Sequence, residues 1–174
     1  DFTANKNEGI AVDWPVRYKD IAPWYDKVES YIGISGELLG LPQLPDGQFE
    51  PMMELNCVED HVRGKVAEHF DGRVITAGRV AHINSNKRFD GDGRARCQYR
   101  NRCIRGCPFG AYFSSVSSTL PAAERTGNMT LRPDSIVHEI IYDPNTKKAT
   151  GVKVIDRVTK ESYEFKAKVI FLCA

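Results

Sequence analysis

Beyond Met129 the chain stops offering helical spacing and begins to read as strands. Residues 135–142 and 149–156 alternate loosely between apolar and polar side chains, the period that buries one face of a sheet. Between them lies Asp143-Pro144-Asn145-Thr146, where Asp and Asn can hydrogen-bond their own backbone and Pro fixes a turn dihedral. A second polar turn leads into residues 163–167. Connections this short join only antiparallel neighbours, because a parallel return needs a crossover of a dozen or more residues. The sequence therefore predicts a three-stranded antiparallel meander. It is followed by Val169-Ile170-Phe171-Leu172, a bare apolar run that predicts one strand buried on both faces. A chain that starts at Asp1 and stops on such a strand is expected to be an internal piece of something longer.

The first half reads differently. Residues 20–33 predict a helix, with Asp20 as cap, Pro23 in the first turn and Gly33 at the end. Ile21, Trp24, Val28 and Tyr31 recur at helical spacing, a stripe expected to pack into a core. Residues 34–54, rich in Pro and Gly, predict a winding arm. Residues 56–70 predict a second helix, opened by Asn56 with Glu59 three positions on. Residues 73–83 are expected to form a strand, and 119–126 a short helix. No apolar run reaches the length of a membrane span.

Five cysteines are present, an odd number, and three of them fall within eleven residues. Cys97, Cys103 and Cys107 follow the spacing C-x5-C-x3-C-P. A structural zinc site takes four ligands, usually in closely spaced pairs, and only the second step fits that habit. The last step matches the C-x3-C-P that ends bacterial ferredoxin ligand runs. Spacing alone leaves iron–sulfur ligation, zinc, and disulfide or free thiols all open. Cys57 and Cys173 read as small core residues.

Charge gathers at the same place. The chain as a whole carries only +1, which excludes a nucleic-acid-binding polycation. Between Arg79 and Arg105, however, eight basic residues face two acids, a local +6. Cations beside thiolates lower thiol pKa values and stabilise an anionic metal group. The same arginines, with Tyr99, Phe109 and Tyr112 as stacking faces, also allow a nucleic-acid patch.

Three stretches resemble the glucose–methanol–choline (GMC) oxidoreductases, flavin enzymes that oxidise alcohols and sugars. The first runs from Asp13-Trp14-Pro15 through Tyr18, Asp20 and Pro23 to Tyr25. The second is Cys107-Pro108-Phe109-Gly110-Ala111 with Ser114. The third spans residues 128–174 and includes Val137 and Ile140 in the family's V-x-x-I step. Their order along the chain is more telling than any one of them. With the cysteine spacing added, the chain resembles the FAD and iron–sulfur catalytic subunits of bacterial glucose, fructose and gluconate dehydrogenases.

This resemblance implies an α/β fold: a fragment of a Rossmann-like flavin-binding domain with an antiparallel meander, plus part of an α+β substrate domain. Residues 1–95 would be the substrate-side arm with two helices. Residues 96–174 would be the cysteine loop, short helix and meander of the FAD-binding domain. It implies FAD as cofactor, with the backbone of Val137 against the adenine ring. It implies a three-iron, four-sulfur cluster on Cys97, Cys103 and Cys107. The family's glycine-rich FAD motif is not found in these residues, and its catalytic histidine is expected beyond Ala174. None of His61, His69, His82 or His138 matches that histidine, so no catalytic residue is assigned, and the 174 residues alone are expected to be inactive. The implied partners are a sugar or polyol substrate, a small subunit and a haem electron acceptor, with no nucleic acid. The implied compartment is the periplasm.

Overall fold

The structure is a computed structural model that describes residues 3–85 and 93–173. It divides into two compact units, Asp1–Gly127 and Asn128–Ala174.

The first unit opens with a one-turn helix α1 (Ala4–Glu8), in a stretch where no element was expected. Helix α2 (Tyr18–Ile32) follows. It begins earlier than its sequence suggests, because Asp20 is the third residue of a capping box rather than the cap. The Arg17 backbone N–H donates to Asp20 Oδ2 at 2.8 Å, and the Asp20 N–H donates back to the Arg17 carbonyl at 2.9 Å. Pro23 consequently lies inside the helix, and Gly33 ends it as predicted. The aromatic stripe is not covered: Trp24 is 63% exposed and Val28 54%. Spacing records that a helix face is apolar, not which segment covers it, and no described element packs on this one.

The arm 34–54 contributes two short strands, β1 (Ser35–Gly36) and β2 (Glu50–Pro51), paired in parallel. Helix α3 (Cys57–His69) starts where the capping box places it. Asn56 Oδ1 accepts from the N–H groups of Val58 and Glu59, each at 3.0 Å, and Glu59 Oε2 accepts from the Asn56 N–H at 2.8 Å. Cys57, expected in the core, is the exposed first residue of this helix. His61 and His69 lie on it, both exposed.

Residues 73–83 do not form the expected strand. They make isolated bridges instead, Ser35 to Val80 and His82 to Tyr112. A strand needs a continuous partner, and here the partner changes every two or three residues. This switching segment is the buried centre of the unit: Ile83, Ala111 and Ser35 are sealed from solvent. Helix α4 (Thr119–Arg125) closes the unit near its predicted place.

The second unit is the expected meander: β3 (Ser135–Asp143), β4 (Lys148–Asp156) and β5 (Ser162–Lys166), in the order β3-β4-β5 and antiparallel throughout. Its first turn is held by Asp143, whose carboxylate accepts from the Asn145 N–H at 2.9 Å and the Thr146 hydroxyl at 2.7 Å. Gly151 in β4 lies so close to β5 that a Cβ would strike the Phe165 carbonyl oxygen. The register of β3 on β4 shifts between Val137 and Glu139, a β-bulge at His138.

Residues 169–172 are not a buried strand. Val169, Phe171 and Leu172 are 68%, 84% and 65% exposed, and Cys173, expected to be buried and inert, is exposed too. The Ala167 N–H donates to the Thr150 carbonyl, beyond which no described strand is available to pair with. The apolar content of 169–172 specifies burial only where such a neighbour exists.

Candidate functional site

Three segments converge on the cysteines through single backbone hydrogen bonds. The Cys97 N–H donates to the Ile83 carbonyl at 2.9 Å. The Ala95 N–H donates to the Phe109 carbonyl at 2.8 Å, and the Ile83 N–H to the Ala111 carbonyl at 3.1 Å. Residues 81–83 thus lie between the strand-like entry to Cys97 and the exit from Cys107. Cys103 opens a 3-10 turn, Cys103–Arg105, between them.

Arg94 fastens this arrangement from inside. It is 6% exposed, and its guanidinium donates to the carbonyls of Gly110 (2.9 Å), Ile32 (2.9 Å) and Ala111 (3.3 Å). One of the eight basic residues that make up the local +6 charge is therefore a buried brace. Its planar fork of donors suits several carbonyls at once, which a lysine cannot match. Gly110 adopts a φ of +64°, the left-handed region, with the Arg94 side chain against it.

The result is a cavity of about 260 Å³ whose wall includes Cys97, Cys103 and Cys107, together with His82, Met53 and Phe109. All three thiols are free and half-buried. The Tyr99 N–H donates to Cys97 Sγ at 3.5 Å. Burial pushes the Cys107 thiol up, but the backbone N–H groups of Tyr112, Phe109, Ala111 and Gly110 together pull it below the ordinary cysteine value. Arg100 and Arg102 line the cavity and Arg96 and Arg105 lie outside it; all four are exposed, and none forms an ion pair with a described residue. Lys87, Arg88, Asp90 and Asp92, counted in the local charge, lie outside the described residues.

Among the described residues, no three His, Cys, Asp or Glu side chains are drawn together tightly enough to hold a metal ion. One zinc ion would need its sulfurs roughly 4 Å apart, given Zn–S bonds of about 2.3 Å and tetrahedral angles. A multinuclear cluster places each thiolate on its own iron, so its ligands stand around a larger space. Three free thiols on one wall, one of them biased toward thiolate, fit such a donor set in chemistry.

The sequence of residues 12–174 matches the family model described as GMC oxidoreductase. The chain belongs to the GMC oxidoreductase family. The fold is accordingly that of a piece of the family's N-terminal, FAD-binding domain. The GMC chain is 26% identical over 187 residues to a 2-methyl-1,2-propanediol dehydrogenase of Mycolicibacterium austroafricanum, covering 100% of this chain and 31% of the relative. It is 24% identical over 181 residues to the fructose dehydrogenase large subunit of Gluconobacter japonicus, again 100% of this chain and 31% of the relative. The chain thus spans about a third of the length of these relatives. No solved structure matches it.

Val137, the residue assigned to adenine in this GMC domain, sits in β3 one position before the bulge. β3 is an edge strand of the meander, so one row of its backbone groups has no partner within the sheet. Edge backbone of this kind offers fixed donors and acceptors to the rim of a purine, which fits the assignment. His138 is exposed at the bulge. His82 joins the cavity wall with no local signal in the sequence, since it stands 15 and more positions from the cysteines.

Proposed function

We propose that this GMC chain is part of an FAD-dependent dehydrogenase that oxidises a hydroxyl of a sugar or polyol, with Cys97, Cys103 and Cys107 holding a three-iron, four-sulfur cluster that relays electrons to an external acceptor. The carrying observation is that these three cysteines, spaced C-x5-C-x3-C-P, line one cavity with their thiols free. When both groups are bound, the chemistry they supply is hydride acceptance from a carbinol carbon and one-electron relay. The backbone N–H groups around Cys107 favour its thiolate, the form that ligates. Arg94 keeps the entry and exit of the loop in register. The exposed arginines stabilise negative charge in the cavity and so favour its reduced state. The edge of β3 at Val137 receives the adenine.

Both named relatives are dehydrogenases, one of a diol and one of a sugar, which supports the substrate class. That the second is a large subunit supports assembly with a smaller subunit; the haem electron acceptor belongs to the same proposal. The periplasmic location, and the division at residue 95 between a substrate-side arm and the FAD-binding part, belong to the same proposal.

A second reading is a cluster-free FAD alcohol or sugar oxidase of the same family, with structural cysteines. It is favoured by the absence, among the described residues, of a tight group of metal-ligating side chains. Flavin, iron and acid-labile sulfide are to be measured on the holoenzyme purified anaerobically. Iron and sulfide in the proportions of a three-iron, four-sulfur cluster, lost in C97S, C103S and C107S, support the first reading. Flavin without iron establishes the second.

A further inference from the structure

Residues 96–105 hold Arg96, Arg100, Arg102 and Arg105 and no acidic residue. All four arginines are exposed, and no described carboxylate pairs with any of them. Like charges this close along a chain repel one another and disfavour a compact loop. The backbone is held against its preference as well. Tyr99 and Asn101, on either side of Arg100, both take a φ of +51°, the left-handed region. Asn tolerates that region, but a side chain as bulky as Tyr seldom enters it. Non-glycine residues held there gather where a segment is shaped for a task.

Ile104 stands at the apex of this loop. It is the middle residue of the 3-10 turn Cys103–Arg105. The Arg105 N–H closes that turn on the Arg102 carbonyl at 3.2 Å, and the Gly106 N–H on the Cys103 carbonyl at 3.4 Å. At 99% exposure, Ile104 is the most accessible large apolar side chain among the described residues. One exposed aliphatic residue is ordinary by itself. This one borders an open groove of about 1010 Å³ together with Arg100, Arg102 and Arg105. An apolar contact among arginines is the composition of a protein-binding surface, where Arg is enriched and apolar anchors lie at the centre.

The chemistry of the groove selects its occupant. Guanidinium forks match carboxylates two bonds at a time. A small free anion would use the arginines and leave Ile104 in water. A nucleic-acid strand would need a row of exposed rings on which to stack its bases. Tyr112 is instead packed on the His82 ring, with centroids 4.8 Å apart, and Phe109 is half-buried in the cysteine cavity. We infer that the loop is a docking surface for an acidic segment of a partner protein, with carboxylates on Arg100, Arg102 and Arg105 and an apolar side chain on Ile104. Such docking requires neither flavin nor a metal group, so it stands apart from the function proposed above.

The test uses the full chain and a fluorescein-labelled peptide of Glu and Asp with one central Leu, read by fluorescence anisotropy. The expected result is binding that weakens with salt and is lost in the triple variant R100E/R102E/R105E. That variant should instead bind the same peptide with Lys in place of its acids. Ile104→Ser should weaken binding about tenfold, the loss for one aliphatic side chain left unburied. Replacing the peptide's Leu by Ser should cost as much, and both changes together little more than either, as for groups in contact. Ile104→Ser leaves thermal unfolding unchanged, because the side chain already lies in water. If the triple variant fails to fold, the Ile104–Leu pair decides alone. No binding by the wild-type chain overturns the inference, as does binding indifferent to charge reversal or to Ile104→Ser. Inorganic triphosphate or oligothymidylate binding as tightly as the peptide, with no loss in I104S, also overturns it and makes the loop a general anion site or a single-strand site.

Discussion

The backbone N–H of Cys97 reaches the carbonyl of Ile83 at 2.9 Å, so the first cysteine of the loop is tied to a residue with no exposed surface. A cysteine loop this rich in arginine would otherwise be free to spread by charge repulsion. One bond at its entry and the Arg94 fork at its exit hold the ends together.

Arg94→Met should be the most damaging substitution of an arginine in this loop. It leaves the carbonyls of Gly110, Ile32 and Ala111 without their shared donor. Hydrogen bonds from a charged donor contribute about 1.5–3 kcal/mol each and are not additive, so a loss of about 3 kcal/mol is expected. Urea denaturation reads it. An equal loss in R100M, at an exposed position, would contradict the brace.

Cys107 should alkylate at a lower pH than an ordinary cysteine. After metal is removed by chelation under reducing conditions, the pH midpoint of iodoacetamide labelling at Cys107 is expected below about 8.5 and should rise on unfolding in urea. Because the folded thiol's pKa is depressed, its contribution to stability is complete above the unfolded pKa. That contribution is lost as pH falls through the folded pKa. A midpoint at or above the free-thiol value in the folded protein would show that burial outweighs the surrounding amides.

Gly151→Ala tests the meander. The new Cβ meets the Phe165 carbonyl and the Lys166 Cα across a ladder with no slack. A loss of about 1–3 kcal/mol is expected, the range for overpacking a tight site. Hydrogen exchange should quicken along β5 more than in α3. Uniform protection in the variant would mean that the strands accommodate the methyl.

Asn56→Ala should remove the cap of α3 and cost about 1 kcal/mol, read by thermal unfolding. Asn56→Asp keeps the acceptor and should cost much less.

The Asn56 cap and the three strands were legible because their signals are local. Asn56 and Glu59 are three residues apart, and the turn at Asp143 is made by Asp143 itself. The free cysteines of the loop were legible as a group for the same reason. What escaped has long-range causes. Arg94 reads as one more surface cation until Ile32, 62 residues away, is seen to accept from it. Residues 73–83 look like a strand because they carry strand-forming side chains, but they share themselves among Ser35, Cys97 and Tyr112. His82 escaped because it meets the cysteines only through that sharing. The run at 169–172 and the stripe of α2 show a further limit: both are apolar, and nothing in their residues names what is to lie against them.

The bulge at His138 changes the parity of β3. Val137 is opposite Val154 and Ile140 is opposite Val152, two positions on β4 that share one side of the sheet. Residues three apart in an unbroken strand point to opposite sides; here the extra residue brings them to the same one. The V-x-x-I step is thus the signature of a strand carrying one supernumerary residue. Deleting His138 would leave Val137 and Ile140 two positions apart in a regular strand, still on one side of the sheet, so the register of Val137 on Val154 would survive without the bulge.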